Sequence, residues 1–252
     1  MDDREALRLK ALRAYSVLDT EADAAIDRLA GLAGSLFATP IALVSLVDEE
    51  RQWFKAKVGL EASETPRYQG FCAHAITMGP HAVMVVEDAT LDPRFANNPL
   101  VTGAPGIRFY AGATLTTKEG QNLGTLCVID NKPRSRPSAD ELERLQLLAS
   151  IIVDEFELAQ ANRLAREKQR LLEIAETMSG VGHWRLDLAT NKPTWSDAVY
   201  AIHGVDRQSF DPGLDDAVAF YHPDDRGMVL GYLAHAIETG SGFEFQLRLL
   251  RA

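Results

Sequence analysis

Cysteine is scarce: Cys72 and Cys127 are the only two in 252 residues. Two thiols cannot build a disulfide framework, and they fit a reducing cytoplasm. Long apolar runs are missing as well. The longest aliphatic run, residues 147–153, is broken by Ala149 and Ser150 and falls far short of the roughly 18 apolar residues that a membrane span needs. The opening Met-Asp-Asp-Arg-Glu has no apolar segment behind a basic start, so neither a secretory signal nor a transit peptide is expected. These absences together predict a cytoplasmic protein with no membrane partner.

Positive charge is in deficit, with 26 Lys and Arg against 36 Asp and Glu and a net charge of −10. The densest basic stretch, residues 163–170, is interleaved with Glu167 and apolar residues. That is the pattern of a solvated helix face, not the basic stripe of a nucleic-acid binder, and no nucleic-acid partner is expected. Signatures of catalysis are absent too. There is no GxxxxGK phosphate loop, no HExxH and no paired CxxC. Neither a phosphoacceptor-histidine motif nor the ATP-binding glycine box of a kinase is visible. The sequence therefore assigns no catalytic residue and no metal site, and the chain is read as non-enzymatic.

What is present reads as a globular α+β protein. Residues 4–37 look helical, interrupted at Asp19 and Thr20, with Thr20 as the cap of the second part. There Ile26, Leu29, Ala30, Ala33 and Leu36 recur at helical spacing. Residues 41–47 form an apolar run of strand length, Asp48-Glu49-Glu50 a polar turn, and residues 52–58 a second strand in which Trp53 and Phe54 break the alternation. A short helix is expected over 71–78, a strand over 81–87, and a second hairpin from strands 107–117 and 123–130. Asp92-Pro93 and Asn97-Asn98-Pro99 mark a long loop between them. This order suits an antiparallel sheet with helices on one side.

Residues 138–177 contain neither Pro nor Gly, and Ser138 with Glu141 fits a capping box. Forty helical residues span about 60 Å, more than the core of so small a domain requires. The first half is apolar and is expected to pack on the preceding sheet. The second half carries Leu158, Ala161, Ala165, Leu172 and Ala175 at heptad-like spacing, with Lys168 intruding. A parallel coiled coil and a single amphipathic linker helix both fit that thin stripe. Beyond it, residues 183–188 alternate like a strand, Asn191-Lys192-Pro193 reads as a turn, and Thr194-Trp195 opens another strand. Helices are expected over 197–203 and 229–239. Residues 242–250 alternate cleanly, with Phe243, Phe245, Leu247 and Leu249 on one face, and read as a third strand.

Eight blocks resemble bacterial GAF domains. They include Ala14-Tyr15-Ser16-Val17-Leu18-Asp19-Thr20, Pro40-Ile41-Ala42-Leu43-Val44-Ser45-Leu46-Val47-Asp48, Arg51-Gln52-Trp53-Phe54-Lys55, Phe71-Cys72-Ala73-His74-Ala75-Ile76 and Leu123-Gly124-Thr125-Leu126-Cys127-Val128-Ile129-Asp130. A second set resembles the start of a PAS domain: Gly182-His183-Trp184-Arg185-Leu186-Asp187-Leu188, Thr194-Trp195-Ser196-Asp197, Tyr200-Ala201-Ile202-His203-Gly204 and His222-Pro223-Asp224-Asp225-Arg226. The resemblance divides the chain into an N-terminal helix (1–20), a GAF domain (21–156), a long connecting helix (138–177) and a PAS domain (178–252). Only three of the five PAS strands are found, so the PAS unit is expected to be incomplete, with an open sheet edge. By resemblance this is a sensory input module that relays ligand or partner binding through helices to a C-terminal output domain, with a two-component sensor histidine kinase as the first expectation. A diguanylate cyclase or phosphodiesterase is the alternative output. A standalone small-molecule-binding or cysteine redox protein is the alternative from a different class. Pairing of two copies through helices is expected.

The same resemblance suggests where a ligand would bind. Trp53, Phe71, Cys72, His74, Asp88, Arg108, Phe109, Tyr110 and Cys127 are the candidate pocket residues, with Tyr110 and His74 as polar handles and Asp88 and Arg108 at the rim. Cys72 and His74 are two apart on a helix and lie on different faces, so they cannot chelate one ion together. A buried structural cysteine and a hydrogen-bonded structural histidine are the simpler reading, which disfavours haem. Cys72 and His74 also lack the adjacency of a covalent bilin site, and residues 175–252 have no cysteine for a flavin photosensor. The cofactor is left unassigned. In His222-Pro223-Asp224-Asp225-Arg226, a histidine beside two carboxylates invites acid–base chemistry, but Pro223 suggests a loop and a structural turn.

Overall fold

The computed structural model describes residues 3–250. Residues 1, 2, 251 and 252, assigned from the sequence to the N-terminal helix and the PAS domain, lie outside the described residues. The chain divides into two compact units, at Arg163 and Leu164.

In the first unit, helix α1 (Asp3–Tyr15) and helix α2 (Ala24–Phe37) precede strands β1 (Ile41–Val47), β2 (Arg51–Val58) and β3 (Glu64–Pro66). A single 3-10 turn leads into helix α3 (Phe71–Ala75), then strand β4 (Val83–Val86), helix α4 (Pro99–Thr102), strands β5 (Phe109–Thr116) and β6 (Asn122–Asp130), and helix α5 (Ala139–Ser179). The six strands form one sheet in the order β3-β2-β1-β6-β5-β4, and every pairing is antiparallel.

An antiparallel sheet usually leaves one face to water, which gives an alternating sequence. Strands β1, β5 and β6 do not alternate, and every residue in them is buried. Both faces must therefore be covered. On one face, Ala42, Val44, Leu126 and Val128 pack with Ile26, Ala30 and Ala33 of α2 and with Leu145, Leu148, Ile152 and Phe156 of α5. On the other, Ile41, Leu43, Cys127 and Ile129 pack with Phe71, Cys72 and Ala75 of α3, together with Phe95, Val101 and Ile107. The expectation of helices on one side is corrected: long helices cover one face, while short helices and loops cover the second. Strands β1 and β6 approach so closely that a Cβ on Gly124 would fall 1.9 Å from the Ser45 carbonyl oxygen.

The broken alternation in β2 is a bulge. Val44 pairs with Ala56 and Ser45 with Phe54, leaving Lys55 as the extra residue. Trp53 and Ala56 consequently share the helix-covered face, while Phe54 faces the other way. The Lys55 ammonium donates to the Thr20 hydroxyl and the Glu21 carbonyl, both at 2.7 Å. Thr20 is not the cap of α2. Asp23 takes that place, its carboxylate accepting from the Ala25 and Ile26 amides. The expected capping box does start α5: Ser138 and Glu141 exchange side-chain and backbone hydrogen bonds. At the other end of this unit's share of α5, Gln160 and Arg163 donate to the last carbonyls of α1, at Ala14 and Tyr15.

In the second unit, strands β7 (Trp184–Asp187) and β8 (Lys192–Trp195) pair antiparallel. Helices α6 (Asp197–His203), α7 (Leu214–Ala219) and α8 (Pro223–Thr239) follow. Trp195, Val199 and Tyr200 form the core, with Phe210 and Phe220 against it. Three expectations are corrected. Lys192 and Pro193 belong to β8 rather than a turn; Asn191, with φ +54°, makes the reversal. Pro223 starts a helix instead of a loop, because the first helical position needs no amide donor. Residues 242–250 form no strand among the described residues. Their backbone meets that of residues 220–222 through one isolated bridge and two hydrogen bonds, and the Arg248 amide donates to the Asp225 carboxylate. Alternation supplies a face, but a strand also needs a ladder partner.

Candidate ligand-binding site

The face of the sheet under α3 is not filled. A cavity of about 270 Å³ lies there. Its floor is Ile41 and Leu43 from β1, Gln52 and Phe54 from β2, Tyr110 from β5 and Ile129 from β6; Phe71 and Cys72 of α3, Leu100 of α4 and Thr65 of β3 wall it, and loop residues Leu60, Ala62, Ala104, Pro105 and Ile107 complete it. Strand period explains the floor. Ile41, Leu43, Tyr110 and Ile129 point away from α2 and α5, and their neighbours Ala42, Val44, Phe109 and Val128 point toward them.

Of the residues singled out from the sequence, Phe71, Cys72 and Tyr110 line this cavity. Trp53 and Phe109 do not. They face the helix-covered side of the sheet, because the bulge turns Trp53 away and Phe109 precedes Tyr110 by one strand position. Cys127 lies just behind the wall, with its Sγ 3.9 Å from the Cys72 Sγ. Both thiols are free and buried. The Tyr110 hydroxyl donates to the Cys72 Sγ at 3.5 Å and also meets the Thr125 hydroxyl at 3.3 Å. The contact with Cys127, aided by Thr125 and Tyr110, pulls the Cys72 thiol down, whereas that same contact and burial push Cys127 up.

His74 is outside the cavity. Its exposed ring meets the edge of Phe95 with centroids 4.9 Å apart, and partial desolvation followed by the Arg94 charge lowers its pKa. Asp88 and Arg108 are spent on each other in a bidentate pair at 2.7 and 2.6 Å, and that guanidinium, then the Thr90 hydroxyl, holds the Asp88 carboxyl well below the usual range. Neither reaches the rim, since both are off the cavity wall. On α5, Leu158, Ala161, Ala165, Leu172 and Ala175 are all exposed in the chain. Sequence reasoning missed Leu43, Gln52, Phe54 and Ile129. The bulge at Lys55 hid the parity of Gln52 and Phe54, whereas Leu43, paired opposite Cys127, and Ile129, two strand positions from it, share the face of that candidate.

The side chains of His222-Pro223-Asp224-Asp225-Arg226 are engaged locally. The His222 Nδ1 accepts from the Asp224 amide at 3.4 Å, Arg248 donates to both Asp225 oxygens at 2.8 and 3.0 Å, and Arg226 donates to the Tyr221 and Ala219 carbonyls. Among the described residues, no group of three or more His, Cys, Asp or Glu is placed to hold a metal ion, and no helix is long and apolar enough to cross a membrane.

A sheet in this order, helix-covered on one face and cavity-bearing on the other, defines the class, and the comparison with known families agrees. The GAF domain model matches residues 17–154, more than half of the chain, and the chain belongs to the GAF domain family. A PAS fold model matches residues 192–252, so the protein is a GAF–PAS sensory module. A cyclic di-GMP phosphodiesterase of Pseudomonas aeruginosa is 49% identical over 137 residues, which are 54% of this chain and 23% of that protein. The chain thus spans about a quarter of the length of that relative. Similar solved structures include the GAF domain of a phosphoenolpyruvate-protein phosphotransferase from Coxiella burnetii, with 16% identity over 65% of this chain and 99% of that one at a TM-score of 0.48. Another is the free methionine-R-sulfoxide reductase of Neisseria meningitidis in complex with its substrate, with 22% identity, 65% and 95% coverage and a TM-score of 0.44.

Proposed function

We propose that this chain is a regulatory, non-catalytic input module in which occupancy of the cavity biases the GAF domain between two states and α5 carries the bias to an output domain. The carrying observation is that the strands flooring the cavity press their opposite face on α5: Leu43 lines the cavity while Ala42 and Val44 beside it share a core with Leu148 and Ile152. Close-packed interiors transmit strain, so a ligand under α3 acts on α5 through a single layer of sheet. Helix α5 then runs on to Ser179 with its apolar side chains exposed.

The output we favour is cyclic-di-GMP turnover, because the Pseudomonas aeruginosa relative at 49% identity is named as such a phosphodiesterase. A sensor histidine kinase is the second reading, supported by the order GAF then PAS. The coding sequence beyond the Ala252 codon tests the choice. We expect a Glu-Ala-Leu or Gly-Gly-Asp-Glu-Phe motif there; a phosphoacceptor histidine followed by an ATP-binding domain would move the assignment to the kinase.

A further inference from the structure

We propose that Cys72 and Cys127 are a redox pair that a hydroperoxide closes to a disulfide, tying α3 to β6. The reaction needs no ligand in the cavity. Ser45 lies two positions from both Leu43 and Val47, and Thr125 two from Cys127, so strand period sets Ser45, Thr125 and Cys127 on the α3 face of the sheet with Tyr110. Helix α3 brings Cys72 among them. The two Sγ atoms are 3.9 Å apart, and both thiols are free. A disulfide needs about 2 Å. Cys127 is held on both sides, opposite Leu43 and Gly112. Cys72 belongs to a helix of five residues without a side-chain cap, so a small shift of α3 supplies the closure.

A pair of core thiols with only a packing role needs no polar company. Here the hydroxyls of Thr125, Tyr110 and Ser45 stand beside the Cys72 sulfur, in a layer otherwise built of side chains such as Ile41, Leu43 and Phe71. The Ser45 hydroxyl is fully buried and has no partner, although buried polar atoms almost always have one. A thiolate on Cys72 is an acceptor within its reach. The Cys127 contact, opposed by desolvation and aided by the hydroxyls, pulls the Cys72 thiol down, and the thiolate is the form that attacks peroxides.

Cys72 also stands on the cavity wall, whereas Cys127 does not. Two other lining residues, Ala62 and Ala104, are exposed, so the cavity opens to solvent and Cys72 is the thiol that meets the oxidant. Its thiolate attacks the hydroperoxide: an S–O bond forms, the O–O bond breaks, and the departing alkoxide takes the proton given up by Cys72. A sulfenic acid and an alcohol result. The Cys127 sulfur then attacks the Cys72 sulfur. The S–S bond forms, the S–O bond breaks, and hydroxide leaves as water with the Cys127 proton. The two thiols have together given two electrons to the peroxide.

Hydrogen peroxide added to the full chain, followed by alkylation under denaturing conditions and peptide mass mapping, tests the pair. Wild type is expected to lose both alkylatable thiols together, to yield a peptide linked through Cys72 and Cys127, and to recover both thiols with dithiothreitol. Cys127→Ser is expected to leave a Cys72 sulfenic acid that dimedone traps, and Cys72→Ser to leave Cys127 reduced at the same dose. Ser45→Ala is expected to slow closure roughly tenfold, the worth of a hydrogen bond to a charged group. The wild-type map decides even where a variant fails to fold. Two free thiols at a peroxide dose that oxidises Met178, which is 84% exposed, would overturn the proposal, as would over-oxidation of Cys72 with Cys127 still free. Dimedone on Cys127 in Cys72→Ser would overturn the order of attack, and closure of Ser45→Ala at the wild-type rate the part given to that hydroxyl.

Discussion

Glu5 shows how single residues hold the first unit together. Its carboxylate accepts from Arg8 at 2.7 and 2.9 Å and from Arg67 at 2.7 Å. Arg8 in turn donates to the Val47 carbonyl at the end of β1, and Arg67 to the Asp48 carbonyl. The Arg8 hydrogen bonds foremost, with Arg67 behind them, lower the Glu5 pKa from 4.5 to about 2. A depressed acid stabilises the fold above its unfolded pKa and loses that contribution as pH falls through the folded one. Glu5→Gln should therefore cost about 1 kcal/mol at neutral pH, once the shift is discounted for its partial exposure. In denaturant unfolding the difference from wild type should shrink between pH 4.5 and 2. A variant as stable as wild type at pH 7 would mean the network is only a surface contact. At this scale the sequence was least informative. Nothing in Ser45 announces an unpaired hydroxyl beside a thiol, because that depends on α3 carrying Cys72 to it, and Trp53 stood out only because aromatics draw attention.

At the scale of elements, legibility followed the strength of the local signal. The apolar runs of β1 and β6 and the Ser138–Glu141 box could be read directly, since burial on both faces and an orphan helix terminus leave residue-level marks. Strand β3 and helix α4 are three and four residues long and leave no periodicity to read. Residues 242–250 carry the pattern of a strand without its ladder, because pairing is a property of a partner segment. Helix α5 is the element with the most to explain. Leu158 and Leu172 are 58% and 51% exposed at positions fourteen residues apart, two heptads on one face. The coiled-coil reading pairs such a face with a second copy. Sedimentation at tens of micromolar should show a dimer, and Leu158→Glu with Leu172→Glu should give a monomer. Both residues are exposed, so melting of the first unit should hardly change. A wild-type monomer would instead favour the single linker helix.

At the scale of the whole molecule, two sensory units share one chain, and α5 runs from the core of the first past Arg163 to Ser179. Leu145, Leu148, Ala149, Ile152, Val153 and Phe156 of α5 belong to the GAF core; residues 164–175 are exposed throughout. A segment held at one end and unburied at the other has low local stability, and the relay we propose is a change in how the core grips it that alters its opening. The direct test of the relay fills the cavity without a ligand. Leu43→Phe places a larger ring on the cavity floor, and hydrogen–deuterium exchange is followed in residues 158–178 of variant and wild type under conditions where both are folded. The relay predicts that exchange in this stretch changes severalfold, although residue 43 is far from it in sequence. A filled cavity with α5 exchange identical to wild type would contradict it.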